Sequence, residues 1–236
     1  MKVGVVGASS GLGAAIAAYH SRRGDNVVAV ARRMARLEEI ADALRHVVAS
    51  SAITTGASEA PQNSNWVSVQ ADITAEVVQQ EFLDALTDAQ RIYLVAGVNA
   101  DPLSTFETNV LAPIRIAQAV DNVGLQLVVI SSLAAVVAFP GLATYCASKA
   151  ALEQWMACWR SIAHADVLVI RPGQFDSEFH SGPQTFDFER LPHQRAFEVA
   201  QLADHHRQGL HTIGWRDRVA AFGARLVGPE QALRLL

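Results

Sequence analysis

Short apolar runs alternate along the chain with longer stretches whose apolar residues recur at helical spacing. The runs are Val3–Val6, Val27–Ala31, Trp66–Val69, Ile92–Val95, Leu127–Ile130 and Val167–Ile170. They are rich in Val and Ile and mostly lack polar alternation, as strands buried on both faces do. Arg36–Val48 is the clearest helix, with Leu37, Ile40, Ala41, Leu44, Val47 and Val48 on one stripe. Further helices are expected over Thr144–Ala163 and near Gln194–Gln208. This repetition predicts an α/β fold: a doubly wound parallel sheet of six to seven strands with helices on both faces.

Some segments break the pattern. Ser50–Asn65 is rich in Ser, Thr, Ala and Gly and reads as a surface loop. Phe175–Arg190 mixes aromatics, Gly, Pro and charges, as a flexible lid does. An edge strand is expected near His211–Gly214. With no repeat and no linker, residues 1–236 read as a single domain, with a substrate-lid region about 175–210.

Half of the 236 residues are apolar and 18% are charged, so a sizeable core is expected. The net charge is −4 and no Lys/Arg-rich block appears, so nucleic acid is not an expected partner. Cys146 and Cys158 fall on one predicted helix, roughly 18 Å apart, too far for a disulfide. They read as buried free thiols in a reducing compartment. No apolar run reaches the ~20 residues of a membrane span, and Met1-Lys2 leads into a strand rather than a signal peptide. A cytoplasmic protein with no membrane partner is expected. His193, His205, His206 and His211 lack metal-ligand spacing, so no metal site is expected.

The first strand, Lys2–Val6, runs into Gly7-Ala8-Ser9-Ser10-Gly11-Leu12-Gly13 and then an Ala-rich helix. Glycines there let the backbone and the helix N-terminus approach a pyrophosphate. The second strand ends Ala31-Arg32-Arg33 without an acid at its tip. An acid there would favour NAD; a guanidinium can grip the extra phosphate of NADP. NADP(H) is therefore the expected cofactor ahead of NAD(H), with a hydroxyl from Ser9 alongside. Asp72, ending the third strand before Ile73, can accept from an adenine amino group or cap the next helix.

Tyr145 and Lys149 are four apart and share a helix face. A free phenol titrates near ~10, and a nearby ammonium lowers that value toward a working range. Ser132 follows the fifth strand, at the end of an open sheet where ligands bind, and its hydroxyl can donate to a carbonyl oxygen as charge develops there. Asn109 precedes Pro113 by four residues, and Pro113 has no N–H to return to the Asn109 carbonyl. A kinked helix with a water beside that carbonyl follows.

Together these residues resemble the short-chain dehydrogenase/reductase family. Gly7–Gly13 matches its G-x-x-x-G-x-G cofactor motif. Asp72 matches its adenine-binding acid, and Asn109, Ser132, Tyr145 and Lys149 match its catalytic tetrad. The thirteen-residue step from Ser132 to Tyr145 fits as well. Pro172 and Gly173 match the segment beside the nicotinamide, and Ser177 falls where the family often has a carboxamide-binding Thr. The resemblance implies a dimer or tetramer. It also implies hydride transfer between the nicotinamide and a carbonyl or alcohol. In that scheme Tyr145 moves the proton, Ser132 holds the carbonyl, Lys149 lowers the tyrosine pKa and binds the ribose, and the Asn109 backbone holds a relay water. One departure stands out. The family's Asn-Asn-Ala-Gly is here Leu94-Val95-Ala96-Gly97, which keeps the close approach of Ala96 and Gly97 and loses the polar bracing, for which Asn99 is a substitute to consider.

The expected function is NADP(H)-dependent reduction of a ketone or oxidation of an alcohol. Val136, Val137 and Phe139 on one wall, with Phe175, Phe179, Phe186 and Phe188 in the lid, point to an apolar substrate. A cofactor-binding regulator that lost catalysis is the alternative. A sugar-nucleotide epimerase or dehydratase of the same family is a third, with little chain left for its substrate domain.

Overall fold

The computed structural model describes residues 1–55, 65–75, 80–173 and 191–236, with side chains except at 47–55. Seven strands form one sheet in the order β3-β2-β1-β4-β5-β6-β7, with every pairing parallel. They are β1 (Lys2–Val6), β2 (Asn26–Ala31), β3 (Trp66–Gln70), β4 (Arg91–Leu94), β5 (Gln126–Ile130), β6 (Asp166–Arg171) and β7 (Gly209–Thr212). The order reverses between β1 and β4, where a doubly wound sheet opens a crevice at its carboxyl end.

Alternation along β1 divides the core. Val3 and Val5 face α1 (Gly11–Arg22), α2 (Met34–Thr55) and a later helix, here α7 (His193–His205). Val6 faces the other layer with Phe82 and Leu86 of α3 (Gln80–Leu86), Ile116 of α5 (Ala112–Ala119), and Leu152 and Met156 of α6 (Ala143–Trp159). The central strands β4 and β5 are buried along their whole length, which is why they read as unbroken apolar runs. A third cluster joins Leu133 and Val137 to Ala220 and Ala221 of α8 (Trp215–Val227) and Ala232 of α9 (Pro229–Ala232).

Several sequence expectations shift. Helix α2 continues through Ser50–Thr55, so the expected loop from Ser50 begins too early. That stretch holds no Gly or Pro before Gly56, and nothing else in it stops a helix. Residues 56–64 lie outside the described chain, as does 174–190, which includes the expected lid core. β7 starts two residues before the expected edge strand, paired to β6 through Leu168 and Gly209. Helix α6 ends at Trp159 rather than Ala163. Cys158 is exposed and Cys146 half-buried, so the expectation of two buried thiols does not hold; both are free. Among the described residues no helix is long and apolar enough to cross a membrane.

At the amino end of the sheet a polar chain is sealed into the core. Arg91 Nη1 donates to the Tyr93 hydroxyl at 3.3 Å, Tyr93 lies 3.0 Å from His20 Nε2, and His20 Nδ1 lies 2.7 Å from Asp25 Oδ2. Tyr93 and His20 are fully buried. These partners assign the proton of a neutral His20 to Nδ1, with Nε2 accepting from Tyr93. Burial, opposed by the Asp25 hydrogen bond, lowers the His20 pKa. Burial raises Tyr93 to about 12.

Candidate active site

A cleft of about 1060 Å³ opens at the carboxyl ends of the strands. Its floor begins at the turn after β1. Gly7 adopts φ +95°, and a Cβ there would sit 2.6 Å from the Ala96 nitrogen. A Cβ on Gly13 would sit 2.2 Å from the Gly7 oxygen. The turn can therefore close only on glycine, which presses α1 against the strand ends. Ser10 stands at the N-cap of α1 in extended conformation and makes no side-chain capping bond. The first-turn N–H groups of Gly11, Leu12 and Gly13 are thus left to meet an anion, with the helix dipole behind them.

The tips of β2 and β3 form one end of the cleft. Arg33 donates from Nε and Nη2 to Ser9 Oγ at 3.3 and 3.1 Å. Arg32 lines the same end and lends its charge to Asp72. Asp72 Oδ1 accepts from the Thr74 N–H at 3.0 Å and from its hydroxyl at 2.7 Å, and this bonding lowers the Asp72 pKa. Asp72 thus closes a turn on Thr74 and caps no helix among the described residues, the next one, α3, beginning at Gln80; Asp72 and Ile73 also line the cleft.

Past β4 the wall is Ala96 and Gly97, and past β6 it is Pro172 and Gly173, the latter at φ +73°. Ser177 lies outside the described residues. Asn109 sits behind Gly97, fully buried. The helix bearing it runs from α4 (Pro102–Phe106) through a π-helical turn (Glu107–Leu111) into α5. The Ala112 N–H reaches back five residues to the Glu107 carbonyl. A π turn is how this helix accommodates Pro113 without breaking.

The Asn109 side chain does what the sequence reading assigned to absent residues. Its Oδ1 accepts from the Val98 N–H at 2.8 Å, and its Nδ2 donates to the Val98 carbonyl at 2.8 Å and to Ser148 Oγ at 3.0 Å. The loop after β4 is therefore braced in spite of Leu94-Val95. Asn99, considered as the substitute, is exposed at the cleft rim. Sequence reasoning used only the Asn109 backbone; an amide side chain near a bare Ala-Gly loop was the available signal.

Ser132, Tyr145 and Lys149 meet at the centre of the cleft. Ser132 caps a short 3-10 turn (Leu133–Ala135), its hydroxyl accepting from the Ala134 N–H at 3.2 Å. The same hydroxyl hydrogen-bonds Tyr145. Lys149 Nζ lies 5.8 Å from the Tyr145 ring centre and donates to the Ile130 carbonyl at 3.2 Å. Burial lowers Lys149 to about 8, with Glu153 pulling the other way. Burial also raises Tyr145, opposed by the Ser132 hydrogen bond. The expected lowering of the phenol by the ammonium is not seen: burial leaves Tyr145 raised, and what opposes it is the Ser132 hydrogen bond rather than Lys149. Ser131, Glu153 and Arg171, directly behind this group, were not singled out from the sequence.

Comparison with known proteins settles the family. The profile described as short chain dehydrogenase matches residues 2–184. The chain belongs to the short-chain dehydrogenase family. An 11-beta-hydroxysteroid dehydrogenase 1A of Arabidopsis thaliana is 28% identical over 192 residues, 75% of this chain and 53% of that protein; the chain spans about half the length of the curated relatives it matches. A Burkholderia cenocepacia short chain dehydrogenase solved with NADP superposes at a TM-score of 0.71 with 20% identity, covering 100% of this chain and 97% of that one. A Sphingobium yanoikuyae short-chain dehydrogenase with NADPH gives 0.68 and 21%, covering 99% and 94%. These likenesses establish the fold. Among the described residues no cluster of three metal-ligating side chains occurs.

Proposed function

We propose that this family member is an NADP(H)-dependent oxidoreductase acting on an apolar ketone or the corresponding alcohol. The observation that carries the reading is the convergence of Ser132, Tyr145 and buried Lys149 at the cleft centre. The cradle fits a dinucleotide: glycines whose Cβ would strike backbone stand at its floor, and the Arg33–Ser9 pair at the tip of β2 supports the NADP(H) reading by offering donors to an added phosphate. A bound NADPH would supply the hydride. The chain would hold it through the first turn of α1, Arg32, Arg33, Asp72 and Gly173.

The protein's own groups do the rest. The Ser132 hydroxyl donates to the substrate carbonyl and fixes it beside the phenol. Tyr145 gives its proton to the carbonyl oxygen as charge develops there. The Lys149 ammonium stabilises the phenolate left behind and would help to hold the cofactor's ribose. Asn109 braces the Ala96–Val98 loop that lines the cleft. Leu133, Phe139 and Leu142 form an apolar wall next to Tyr145, which favours a hydrophobic substrate. The regulator alternative drew on the missing Asn-Asn bracing, and Asn109 replaces that bracing.

The test is a panel of aliphatic, aromatic and polycyclic ketones incubated with NADPH and, separately, NADH, with loss of reduced-cofactor absorbance as the signal. Turnover of apolar ketones with NADPH preferred is expected. NADPH binding with no turnover across the panel contradicts the enzymatic reading.

A further inference from the structure

Glu153 sits on α6 one turn beyond Lys149 and two beyond Tyr145, on the same helix face. Its carboxylate is almost enclosed, with side-chain exposures of 11% for Glu153 and 5% for its partner Arg171. Oε1 accepts from Ser131 Oγ at 2.6 Å and from Arg171 Nε at 2.8 Å, and Oε2 accepts from Arg171 Nη2 at 2.5 Å. Each partner adjoins a residue of the proposed site. Ser131 precedes Ser132 at the end of β5. Arg171 ends β6 and precedes Pro172 and Gly173. Lys149 itself reaches back to the end of β5 at Ile130.

Helix docking alone does not call for these charges. Apolar residues of the same volume often hold a helix to a sheet as well as a buried ion pair does. The pair instead ties together the strand ends that carry Ser132 and the Pro172-Gly173 segment, one helical turn from Lys149. On resting on the function proposed above, we infer that Glu153 is a positioning residue of the catalytic group. It locks Ser132 and the Pro172-Gly173 segment in register with Lys149 and supports the ammonium's charge from one helical turn away.

The surroundings of Lys149 leave this role to Glu153. Tyr145 and Glu153 face it from α6, and the Ile130 carbonyl faces it from β5. Gly97 adjoins it without formal charge, and the Asn109 amide lies beside Gly97. Arg171, from β6, is held by Glu153. Lys149 is 3% exposed, and burial opposes its charge while Glu153 supports it. Neutralising Glu153 removes that support and leaves the Arg171 cation unbalanced. Both effects drive the proton from Lys149 at lower pH.

The chain holds two lysines, Lys2 and Lys149. Lysine labelled with carbon-13 at Cε therefore gives two NMR signals, and Lys149 can be titrated without any cofactor. The Lys149 midpoint is expected near 8 in the unaltered chain. Glu153→Gln should move it down by about one pH unit, and Glu153→Asp, which keeps the charge, by less than about half a unit. At pH 8, NADPH affinity should fall about fivefold in Glu153→Gln and recover in Glu153→Asp, following the protonated fraction. An unchanged midpoint in Glu153→Gln overturns the inference, and so does an equal shift in both variants, which would mark a docking role only. If Glu153→Gln does not fold, the apolar pair Glu153→Met with Arg171→Met takes its place. A smaller downward shift then supports the inference and no shift overturns it. Absence of NADPH binding by the unaltered chain overturns the proposed function and this role with it. A missing Lys149 shift with normal NADPH binding overturns this role alone.

Discussion

Replacing Asn109 by Asp changes one NH2 to an oxygen in a fully buried position. The acceptor of the Val98 N–H survives. The two donations by Nδ2, to the Val98 carbonyl at 2.8 Å and to Ser148 Oγ at 3.0 Å, do not. The new oxygen would face the Val98 carbonyl, acceptor against acceptor. A buried partner left unsatisfied costs about 1–3 kcal/mol; with Ser148 buried and the Val98 carbonyl half-buried, the two together cost about 3 kcal/mol. For a chain of this size, about 2–4 °C of Tm is lost per kcal/mol, which gives a drop of roughly 10 °C. The sign with pH follows from the same contact. The folded state raises the pKa of the new carboxyl, because only the protonated form can donate to Val98. Its contribution is present below the unfolded value of about 4 and is lost as pH rises through the folded value. Thermal unfolding at pH 5.5 and 8, followed by circular dichroism, should show the larger deficit at pH 8. A Tm within about 2 °C of the unaltered chain at pH 8, or a deficit that shrinks as pH rises, would refute the bracing role.

Other consequences are testable in the same preparations. Arg33→Ala removes the guanidinium held against Ser9 and should lower NADPH efficiency about tenfold while leaving NADH unchanged; an unaltered NADPH-to-NADH ratio counts against the phosphate assignment. His20 is neutral in the core with its pKa lowered below 6.5, so its stabilisation is complete above 6.5 and is lost as pH falls from there toward the folded value. Urea titrations between pH 7.5 and 5.5 should lose up to ~1.4 kcal/mol per pH unit, and His20→Gln should flatten that slope; an identical slope in the variant contradicts the neutral assignment. Asp25, held at about 2 against burial by the bonds from His20 and the N-terminal ammonium, stabilises above its unfolded value of 3.8 and loses that contribution as pH falls toward about 2.

The sheet was readable because β1, β2, β4, β5 and β6 are each buried on both faces, and such strands show as unbroken Val and Ile runs. β7 was less so, since Gly209–Thr212 is half-exposed and mixed in character. The end of α2 was misplaced because Ser and Thr suggest a loop but do not stop a helix. The catalytic residues were readable through spacing along single elements: Tyr145 with Lys149 on one helix, Gly7 to Gly13 in one turn. What escaped were contacts between elements. The grip of Asn109 on Val98, and that of Glu153 on Ser131 and Arg171, join segments with no sequence register between them. The choice of Arg33 rather than Arg32 as the partner of Ser9 depends on which way the chain turns after β2, which two adjacent arginines do not reveal.

The central claim is that Tyr145 passes the proton to the substrate. Its most direct measurement is single-turnover reduction by Tyr145→Phe with an accepted ketone, alongside fluorescence titration of NADPH. The account predicts NADPH affinity within about threefold of the unaltered chain and a rate at least about a thousandfold lower. Reduction proceeding within tenfold of the original rate, with the phenol oxygen gone, would contradict it.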